Sequence, residues 1–356
     1  MARYNSFQQR AVHSFDGTRL RYQVAGAGPT VVLANGLGGF RPFWRYQVRL
    51  LARHYRLICW DYRGLVPWEA ADDDEHVGSL ALTHQARDLD AILRAESATS
   101  PVLLVGWSMG VQVSLEYYRL RPDAVHGIIA INGTAGRPFE TAFADRRWRA
   151  LIRPLLRGVR GAAPLLGRVA PRLAHWGAAE PLLHWLGAAS PGIDDGGAFI
   201  ELARAFSHID YRRYAETFFE LARHDAWDLL PDVQAPSLVI AGDADVLTPV
   251  EVAHRMVGSM PRAELAVLRG GSHFCAIQQS ERVNELIAEF IGELGYGPFA
   301  EEPVRVHALR MSQRPTALLP AISASAAASE TNRPGERSAA AAAAASTLGA
   351  PAGVSR

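Results

Sequence analysis

The sequence contains no lysine, only two cysteines and no hydrophobic run long enough to span a membrane. Cys59 and Cys275 lie outside any CxxC or metal-like spacing, which argues against a disulfide framework. A membrane helix needs about 20 apolar residues, whereas the apolar runs here have the length of core strands. The opening residues MARYNSFQQR include no apolar stretch, so we expect no secretory signal and a cytoplasmic protein.

The sequence also lacks an excess of charge of either sign. Its 37 basic residues, all of them arginine, stand against 36 acidic residues and leave a formal net charge of +1. Nothing in this balance favours nucleic acid as a partner. The hydrophobic fraction of 49% is enough for the core of one large α/β domain with insertions, a common form at a length of 356 residues.

Short apolar runs followed by turn residues recur along the chain. They occupy residues 30–34, 56–60, 102–105, 128–131, 237–241 and 265–268. Stretches with helical spacing separate most of them, at residues 43–53, 79–95, 109–119, 250–257 and 280–294. Runs of this kind are typical of parallel strands buried on both faces. With a hairpin at residues 12–24, the alternation predicts a doubly wound, mostly parallel α/β sheet.

The alternation of strand and helix stops between about residues 137 and 228, where several helical stretches are broken by proline and glycine. We therefore predict an α/β domain over residues 1–298, interrupted by a helical cap at about 138–228. Residues 299–356 become rich in alanine, serine and proline, which predicts a disordered tail.

The strongest single motif is GWSMG at residues 106–110. It matches G-x-S-x-G, and it lies between a buried strand and a helical stretch, as that motif requires. Glycine two residues before and after Ser108 allows a turn so sharp that the serine backbone is strained. We predict that Ser108 is a nucleophile and that the backbone N–H of Met109 faces a developing oxyanion.

A serine hydroxyl needs a base, and His273 follows the last predicted strand in a glycine-rich loop. The carboxyl ends of parallel strands meet at one edge of the sheet, so His273 is the predicted base among the 12 histidines. The acid that orients it belongs in the loop after the strand at 237–241. Asp243 and Asp245 compete for that role, and their spacing does not separate them.

The order of serine, acid and histidine resembles the α/β-hydrolase fold superfamily, in its capped, esterase-like branch, over about residues 10–296. The resemblance implies an acid loop of the form G-x-x-D-x-x-x-P, which favours Asp245. It also implies that the backbone N–H of Leu37 is the second oxyanion donor. Asn35 stands where relatives commonly have histidine, so a different side-chain contact must hold that loop.

The inserted segment is where we look for substrate selection. Eight arginines lie among apolar and tryptophan residues between positions 145 and 172. One interpretation is an amphipathic cap with a solvated arginine face. The alternative is an apolar tunnel over Ser108 whose basic outer face approaches lipid surfaces or acidic acyl carriers.

These observations predict a serine hydrolase that cleaves an ester of an apolar acyl or aromatic group, without cofactor or metal. Ser108 argues against the haloalkane dehalogenases and epoxide hydrolases, which have aspartate at the corresponding turn. The same triad also serves lactone, thioester or C–C bond hydrolysis, perhydrolysis and acyl transfer, and the pattern does not divide these reactions. A non-catalytic ligand-binding relative is the rival from another class.

Overall fold

Eight strands form one sheet in the computed structural model, which describes residues 7–67, 76–98, 100–138 and 196–300, together with 154, 157–158, 161–165 and 168–169. The strands are β1 (Gln8–His13), β2 (Arg19–Ala25), β3 (Thr30–Ala34), β4 (Arg56–Trp60), β5 (Val102–Trp107), β6 (Val125–Ile131), β7 (Ser237–Gly242) and β8 (Ala263–Leu268). Their order is β1-β2-β4-β3-β5-β6-β7-β8. The β1–β2 and β2–β4 pairings are antiparallel, and the pairings that join β4, β3, β5, β6, β7 and β8 are parallel.

Helices cover both faces of the sheet. They are α1 (Arg45–Leu51), α2 (Leu82–Ala95), α3 (Met109–Leu120), α4 (Gly196–Phe206), α5 (Tyr211–Arg223), α6 (Val250–Ser259), α7 (Cys275–Gln278) and α8 (Ser280–Glu293). Short 3-10 turns occupy Arg41–Trp44, Pro122–Ala124, Trp227–Asp232 and Gly297–Ala300. α1 and α8 share one apolar cluster with the sheet, whereas α2, α3 and α6 share the other. This arrangement confirms the predicted doubly wound α/β fold.

The sequence of β3 shows why the central strands are apolar throughout. Successive side chains of a strand point to opposite faces. Val31 and Leu33 enter the cluster of α1 and α8, while Val32 and Ala34 enter the cluster of α2 and α3. All four are fully buried, so these four positions of the strand are apolar on both faces.

The prediction for residues 265–268 was wrong in one respect. They do form a strand, but β8 ends the sheet and pairs only with β7 in the part of the chain that the structure describes. Val267 keeps 45% of its surface exposed, so this run is not buried on both faces. An apolar run alone does not reveal whether another strand lies beside it. The hairpin also begins earlier than predicted, at Gln8. Its first strand is polar and exposed, so it has no apolar pattern from which its start could be predicted.

The chain order places a crevice beside β3. After β4 the chain passes β3 and continues in β5 on its other side, so the connections leave β3 in opposite directions. In open α/β sheets such a point at the carboxyl edge is where ligands bind. The loops after β3 and β5 carry the predicted oxyanion donor Leu37 and Ser108 and border this crevice.

The two ends of the inserted segment are brought together at that same side of the fold. Gly136 and Asp225 form an antiparallel bridge, and Arg137 N donates to His224 O at 2.9 Å. Within the predicted cap, α4 and α5 are described fully as helices. Most of residues 139–195 and the part of the predicted tail after residue 300 lie outside the described residues. Residues 299 and 300, where that tail was predicted to begin, belong to the 3-10 turn Gly297–Ala300, and Phe299 is buried. None of the helices that the structure describes is long and apolar enough to cross a membrane.

Candidate active site

Ser108 is the only residue between the end of β5 and the start of α3. Its backbone has φ 53° and ψ −118°, a left-handed conformation that a residue with a Cβ rarely adopts. Such a conformation costs about 1–3 kcal/mol, and strained residues of this kind are often found at functional sites. The strained serine backbone predicted from the motif is therefore confirmed.

The two flanking glycines are required by close backbone contacts. A Cβ on Gly106 would lie 2.6 Å from the carbonyl oxygen of Gly110. A Cβ on Gly110 would lie 2.1 Å from the carbonyl oxygen of Ala34, on the neighbouring strand. Both distances are far shorter than van der Waals contact, so no larger side chain fits at either position. This confirms the predicted reason for the motif's spacing.

His273 and Asp245 meet at the carboxyl edge of the sheet. His273 Nδ1 and Asp245 Oδ2 are 2.8 Å apart, and the side chains are 6% and 0% exposed. Asp245 Oδ1 accepts from the backbone N–H groups of Leu247 and Thr248 at 2.8 and 3.0 Å. Thr248 Oγ1 also donates to Asp245 Oδ2, at 2.5 Å.

These contacts set the charge state of the Asp245 carboxylate. Burial acts to raise the pKa of Asp245, but attraction to His273 and the hydrogen bonds from His273 and Thr248 outweigh it and hold the pKa below its ordinary value. The carboxylate is thus ionised near neutral pH. A buried negative charge beside an imidazole is suited to stabilise that ring when it gains a proton.

Asp243, the competing carboxylate, has a different role in the structure. It is exposed, and its Oδ1 accepts from the backbone N–H of Gly270 at 2.6 Å. It therefore ties the loop after β7 to the loop after β8, the bridging role of an ordinary loop carboxylate. The structure pairs His273 with Asp245 rather than with Asp243.

Trp107 connects the turn at Ser108 to the His273 loop. Its indole Nε1 donates to the backbone carbonyl of His273 at 2.9 Å, and its ring stacks on Phe43 at 3.7 Å between centroids. In the described part of the chain, no hydrogen bond joins Ser108 Oγ to the His273 ring. Such contacts are often loose in a free enzyme and tighten when substrate binds.

The loop after β3 passes close to Ser108. A Cβ on Gly36 would lie 3.1 Å from the Ser108 Cβ, and the half-buried Leu37 follows directly. Met109, the other predicted oxyanion donor, is buried at the first position of α3. Both predicted donors therefore lie on chain segments that adjoin Ser108.

Asn35 holds this loop where relatives commonly have histidine. Its Nδ2 donates to Trp60 O at 2.8 Å, and its Oδ1 accepts from Trp44 Nε1 at 2.8 Å. The side chain is only 1% exposed, so both of its ends are satisfied inside the protein. These two bonds are the substitute contact that the departure from the family pattern required.

Asn132 was not predicted as a site residue; it is one of the turn residues that follow the apolar run at 128–131. Its backbone has φ 43°, and its side chain is buried. Nδ2 donates to Ser272 O at 2.6 Å, and Oδ1 accepts from Gly242 N at 2.9 Å. Asn132 thus joins the acid loop to the residue before His273. The available signal was an asparagine, which tolerates a left-handed backbone, directly after a buried strand.

Two aromatic residues of the inserted segment cover the loop after β3. A Cβ on Gly38 would lie 2.7 Å from the Phe206 ring and 3.1 Å from Tyr214 Cε2. Phe206 and Tyr214 meet edge to face, with centroids 5.1 Å apart. Burial raises the pKa of Tyr214 to about 12, so its phenol stays neutral. These two rings also were not predicted, since nothing in an insertion's pattern fixes which of its residues reach the core.

Other histidines that the structure describes bond to groups outside this site. His224, for example, lies between Glu116 and Gln112 of α3, at 2.8 Å from Glu116 Oε1 and 2.6 Å from Gln112 Nε2. His175 and His184 lie outside the described residues. Among the residues that the structure describes, no group of three or more His, Cys, Asp or Glu could hold a metal ion.

Comparisons with known proteins agree with this geometry. A family model described as "Alpha/beta hydrolase family" matches residues 31–286. A putative carbamate hydrolase RutD of Serratia proteamaculans (strain 568) is 24% identical over 264 residues, which cover 73% of this chain and 89% of the relative.

Solved structures show the same fold. The esterase RhEst1 from Rhodococcus sp. ECU1013 has a TM-score of 0.64 and 24% identity, covering 81% of this chain and 99% of its own. A thermophilic esterase from Thermogutta terrifontis has a TM-score of 0.63 and 22% identity, with 81% and 99% covered. At this identity the likeness establishes the fold, and the reaction must be argued from the site.

Proposed function

Since this chain belongs to the alpha/beta hydrolase family, we propose that it is a serine hydrolase that cleaves carboxylic esters through an acyl-enzyme. One observation carries this proposal. A buried, ionised Asp245 is hydrogen-bonded to His273 at the sheet edge where the strained turn presents Ser108. A nucleophile, a base and an orienting acid at one edge are the parts that acyl transfer needs.

In the proposed reaction Ser108 Oγ attacks the ester carbonyl while His273 Nε2 accepts the hydroxyl proton. The carbonyl oxygen becomes an oxyanion, which the backbone N–H groups of Leu37 and Met109 receive. When the C–O bond to the leaving group breaks, His273 returns the proton to the departing alkoxide. Water, deprotonated by His273, then attacks the acyl carbonyl. The bond from the acyl carbon to Ser108 Oγ breaks as His273 returns the proton to Oγ, which releases the acid and restores Ser108.

Asp245 acts in this scheme through His273. Its contact with Nδ1 fixes the ring so that Nε2 is free to face Ser108, and its negative charge favours the imidazolium that forms during attack. Trp107 and Asn132 hold the backbone of the His273 loop from two sides. They are positioning residues, because neither side chain needs to touch the substrate.

The surroundings of the site support an apolar acyl or aromatic substrate. Phe206 and Tyr214 lie over Gly38, two residues from the part of the loop that adjoins Ser108. An ester carbonyl held between Ser108 and the N–H of Leu37 would place one of its substituents near these rings. Aromatic surfaces favour apolar or ring-shaped groups over small polar ones.

The proposal is tested with p-nitrophenyl esters and a fluorophosphonate probe, which labels activated serines. Replacing Ser108 by alanine is expected to abolish labelling and to reduce ester turnover by about 10⁴-fold or more, because the nucleophile is lost. An Asp243→Asn variant is the matched control, since it removes a nearby carboxylate that does not contact His273. Labelling that survives in Ser108→Ala would overturn the assignment. Absence of labelling in the natural chain would favour a ligand-binding relative.

A carbamate is the second candidate substrate, because the curated relative from Serratia is a putative carbamate hydrolase. The same attack of Ser108 applies to a carbamate carbonyl, which is less electrophilic because of its nitrogen. An ester and a carbamate with the same leaving group separate the two proposals. A higher kcat/KM for the carbamate would make it the preferred substrate, and lactones and thioesters complete the same panel.

A further inference from the structure

A cavity of about 520 Å³ lies at the amino ends of the parallel strands, whereas Ser108 lies at their carboxyl ends. Its wall includes Arg56, at the first position of β4, and it is bordered by the turn that leads from β2 into β3. Val24 and Ala52 give it an apolar side, and three arginines and one glutamate give it charge. The proposed ester chemistry uses the carboxyl ends of the strands, so this cavity has no part in it.

The single carboxylate in the cavity is already neutralised. Arg10 Nη1 donates to both oxygens of Glu96, at 2.6 and 2.7 Å, and Tyr22 Oη donates to Glu96 Oε1 at 2.7 Å. Burial and the contact with Glu96 raise the pKa of Tyr22 to about 12, in keeping with an ionised carboxylate beside it. Arg10 and Glu96 therefore cancel each other, and the remaining charge of the cavity comes from the other two arginines.

Arg56 is held in place without a carboxylate partner among the described residues. Its Nε and Nη2 donate to Thr30 Oγ1 at 3.0 and 2.7 Å, and its Nη1 donates to the backbone carbonyl of Glu96 at 3.1 Å. These acceptors are neutral, so they orient the guanidinium but leave its charge uncompensated. A fixed guanidinium with an uncompensated charge is a preorganised anion receptor.

Arg53 adds a second cationic side chain at the same cavity. It is exposed, and within the described residues it makes no ion pair. After Arg10 and Glu96 cancel, Arg53 and Arg56 leave two positive charges at one opening with an apolar wall. A monoanion would satisfy only half of this charge, whereas a dianion matches it.

From these contacts we infer a second binding site that takes a phosphate dianion, either free or as the phosphate group of a small molecule. Arg56 provides the oriented donors, and Arg53 closes over the anion from the solvent side. Phosphate monoesters carry a charge of about −1.5 to −2 near neutral pH, which suits the pair. Val24 and Ala52 would face an organic group attached to the phosphate.

The test is isothermal titration calorimetry of the full chain with inorganic phosphate, at about pH 8 where phosphate is largely dianionic. Sodium chloride keeps the ionic strength constant, because weak anion binding is screened by salt. Saturable binding is expected in the natural chain. Arg56→Gln should weaken it about tenfold, since a charge-assisted fork is lost. Arg53→Gln should weaken it about threefold, because an exposed charge contributes less.

Arg262→Gln is the matched control, because Arg262 is exposed at the same edge of the sheet, directly before β8, and does not line the cavity. Its phosphate affinity should equal that of the natural chain. Arg56→Gln also loses contacts to Thr30, so circular dichroism must show that it is folded; Arg53→Gln tests the site without that complication. Absence of saturable binding, or equal affinities in Arg53→Gln and Arg262→Gln, would overturn the inference. Phenyl phosphate binding more tightly than inorganic phosphate would identify the organic form.

Discussion

The loops at the carboxyl edge and the helices of the inserted segment are fastened to the core in different ways. The loops are tied by hydrogen bonds to backbone groups, as in Ser108 N to Ile131 O at 3.0 Å and Asn132 Nδ2 to Ser272 O at 2.6 Å. α4 and α5 are held largely by side chains, such as Phe206 on Gly38. Backbone contacts leave few sequences that fit, whereas side-chain contacts can be remade by many. The residues proposed to react therefore lie in the loops, whose sequence is constrained. The residues proposed to select the substrate lie in α4 and α5, whose sequence can vary more.

The largest effect expected on stability comes from placing a side chain in a very close backbone contact. Gly110→Ala should destabilise the protein by about 3 kcal/mol or more, because its Cβ would overlap Ala34 O and the chain would have to move. Gly258→Ala in α6 meets no atom within 4 Å and should stabilise by about 0.5 kcal/mol. Urea denaturation measures both variants. Equal stabilities would show that the turn at Ser108 is not constrained by contact.

The next effect separates the two carboxylates of the acid loop. Asp245→Asn should lower kcat for a p-nitrophenyl ester by about 10⁴-fold. The neutral amide cannot hold the His273 ring in the tautomer that leaves Nε2 free to accept a proton. Asp243→Asn should change kcat by less than about twofold, since it removes one exposed hydrogen bond. Steady-state kinetics on the pair decides the assignment. A larger loss in Asp243→Asn would reverse it.

A smaller effect is expected at Asn132, which hydrogen-bonds to Ser272, the residue before His273. Asn132→Gly keeps the left-handed backbone but removes the bonds to Ser272 and Gly242. We expect kcat to fall about tenfold through loss of alignment, with KM nearly unchanged. The variant Asn132→Asp retains only an acceptor and should fail to restore kcat. A parallel rise of KM would indicate a role other than positioning.

The smallest effect is expected in the inserted segment, and it concerns selectivity. Phe206→Ala removes a half-buried ring above Gly38, so the preference for long or aromatic acyl esters over acetate should fall by about tenfold. Turnover of the acetate ester should change little, because the groups proposed to react are untouched. The ratio of kcat/KM values for p-nitrophenyl octanoate and acetate measures this. A fall in both rates together would place Phe206 with the constrained loops instead.

Most of the fold could be predicted from the sequence because the residue patterns that determine strands and helices are local. β3 and β4 have the predicted bounds, and the helices after β5 and β7 begin at the predicted residues. Parallel strands that are buried on both faces are apolar over nearly their whole length, which leaves a strong pattern. The exposed β1 has no such pattern, and the apolar run in β8 does not reveal that this strand ends the sheet, because that depends on which strands lie beside it.

Candidate site residues could be predicted where a sequence motif reflects local backbone geometry. They could not be predicted where their role depends on contacts between distant parts of the chain. Ser108 and His273 could be singled out as candidates because glycines and strand ends mark them. Asn132 and Trp107 could not, since their roles consist of bonds to residues 140 and 166 positions away. Spacing alone did not separate Asp243 from Asp245, although the family resemblance favoured Asp245; in the folded chain it is Asp245 that contacts His273.

The sequence by itself determined the α/β sheet, the turn at Ser108 and the order of serine, acid and histidine, because periodicity and glycine spacing express constraints within a few residues. Only the tertiary structure decided that Asp245 faces His273, that Asn35 is fixed by Trp44 and Trp60, and that Phe206 and Tyr214 lie over Gly38. It alone placed Arg53 and Arg56 at a cavity whose other charged residues, Arg10 and Glu96, come from remote parts of the chain. Each of these depends on the distance between segments remote in the chain, which packing of the whole core sets.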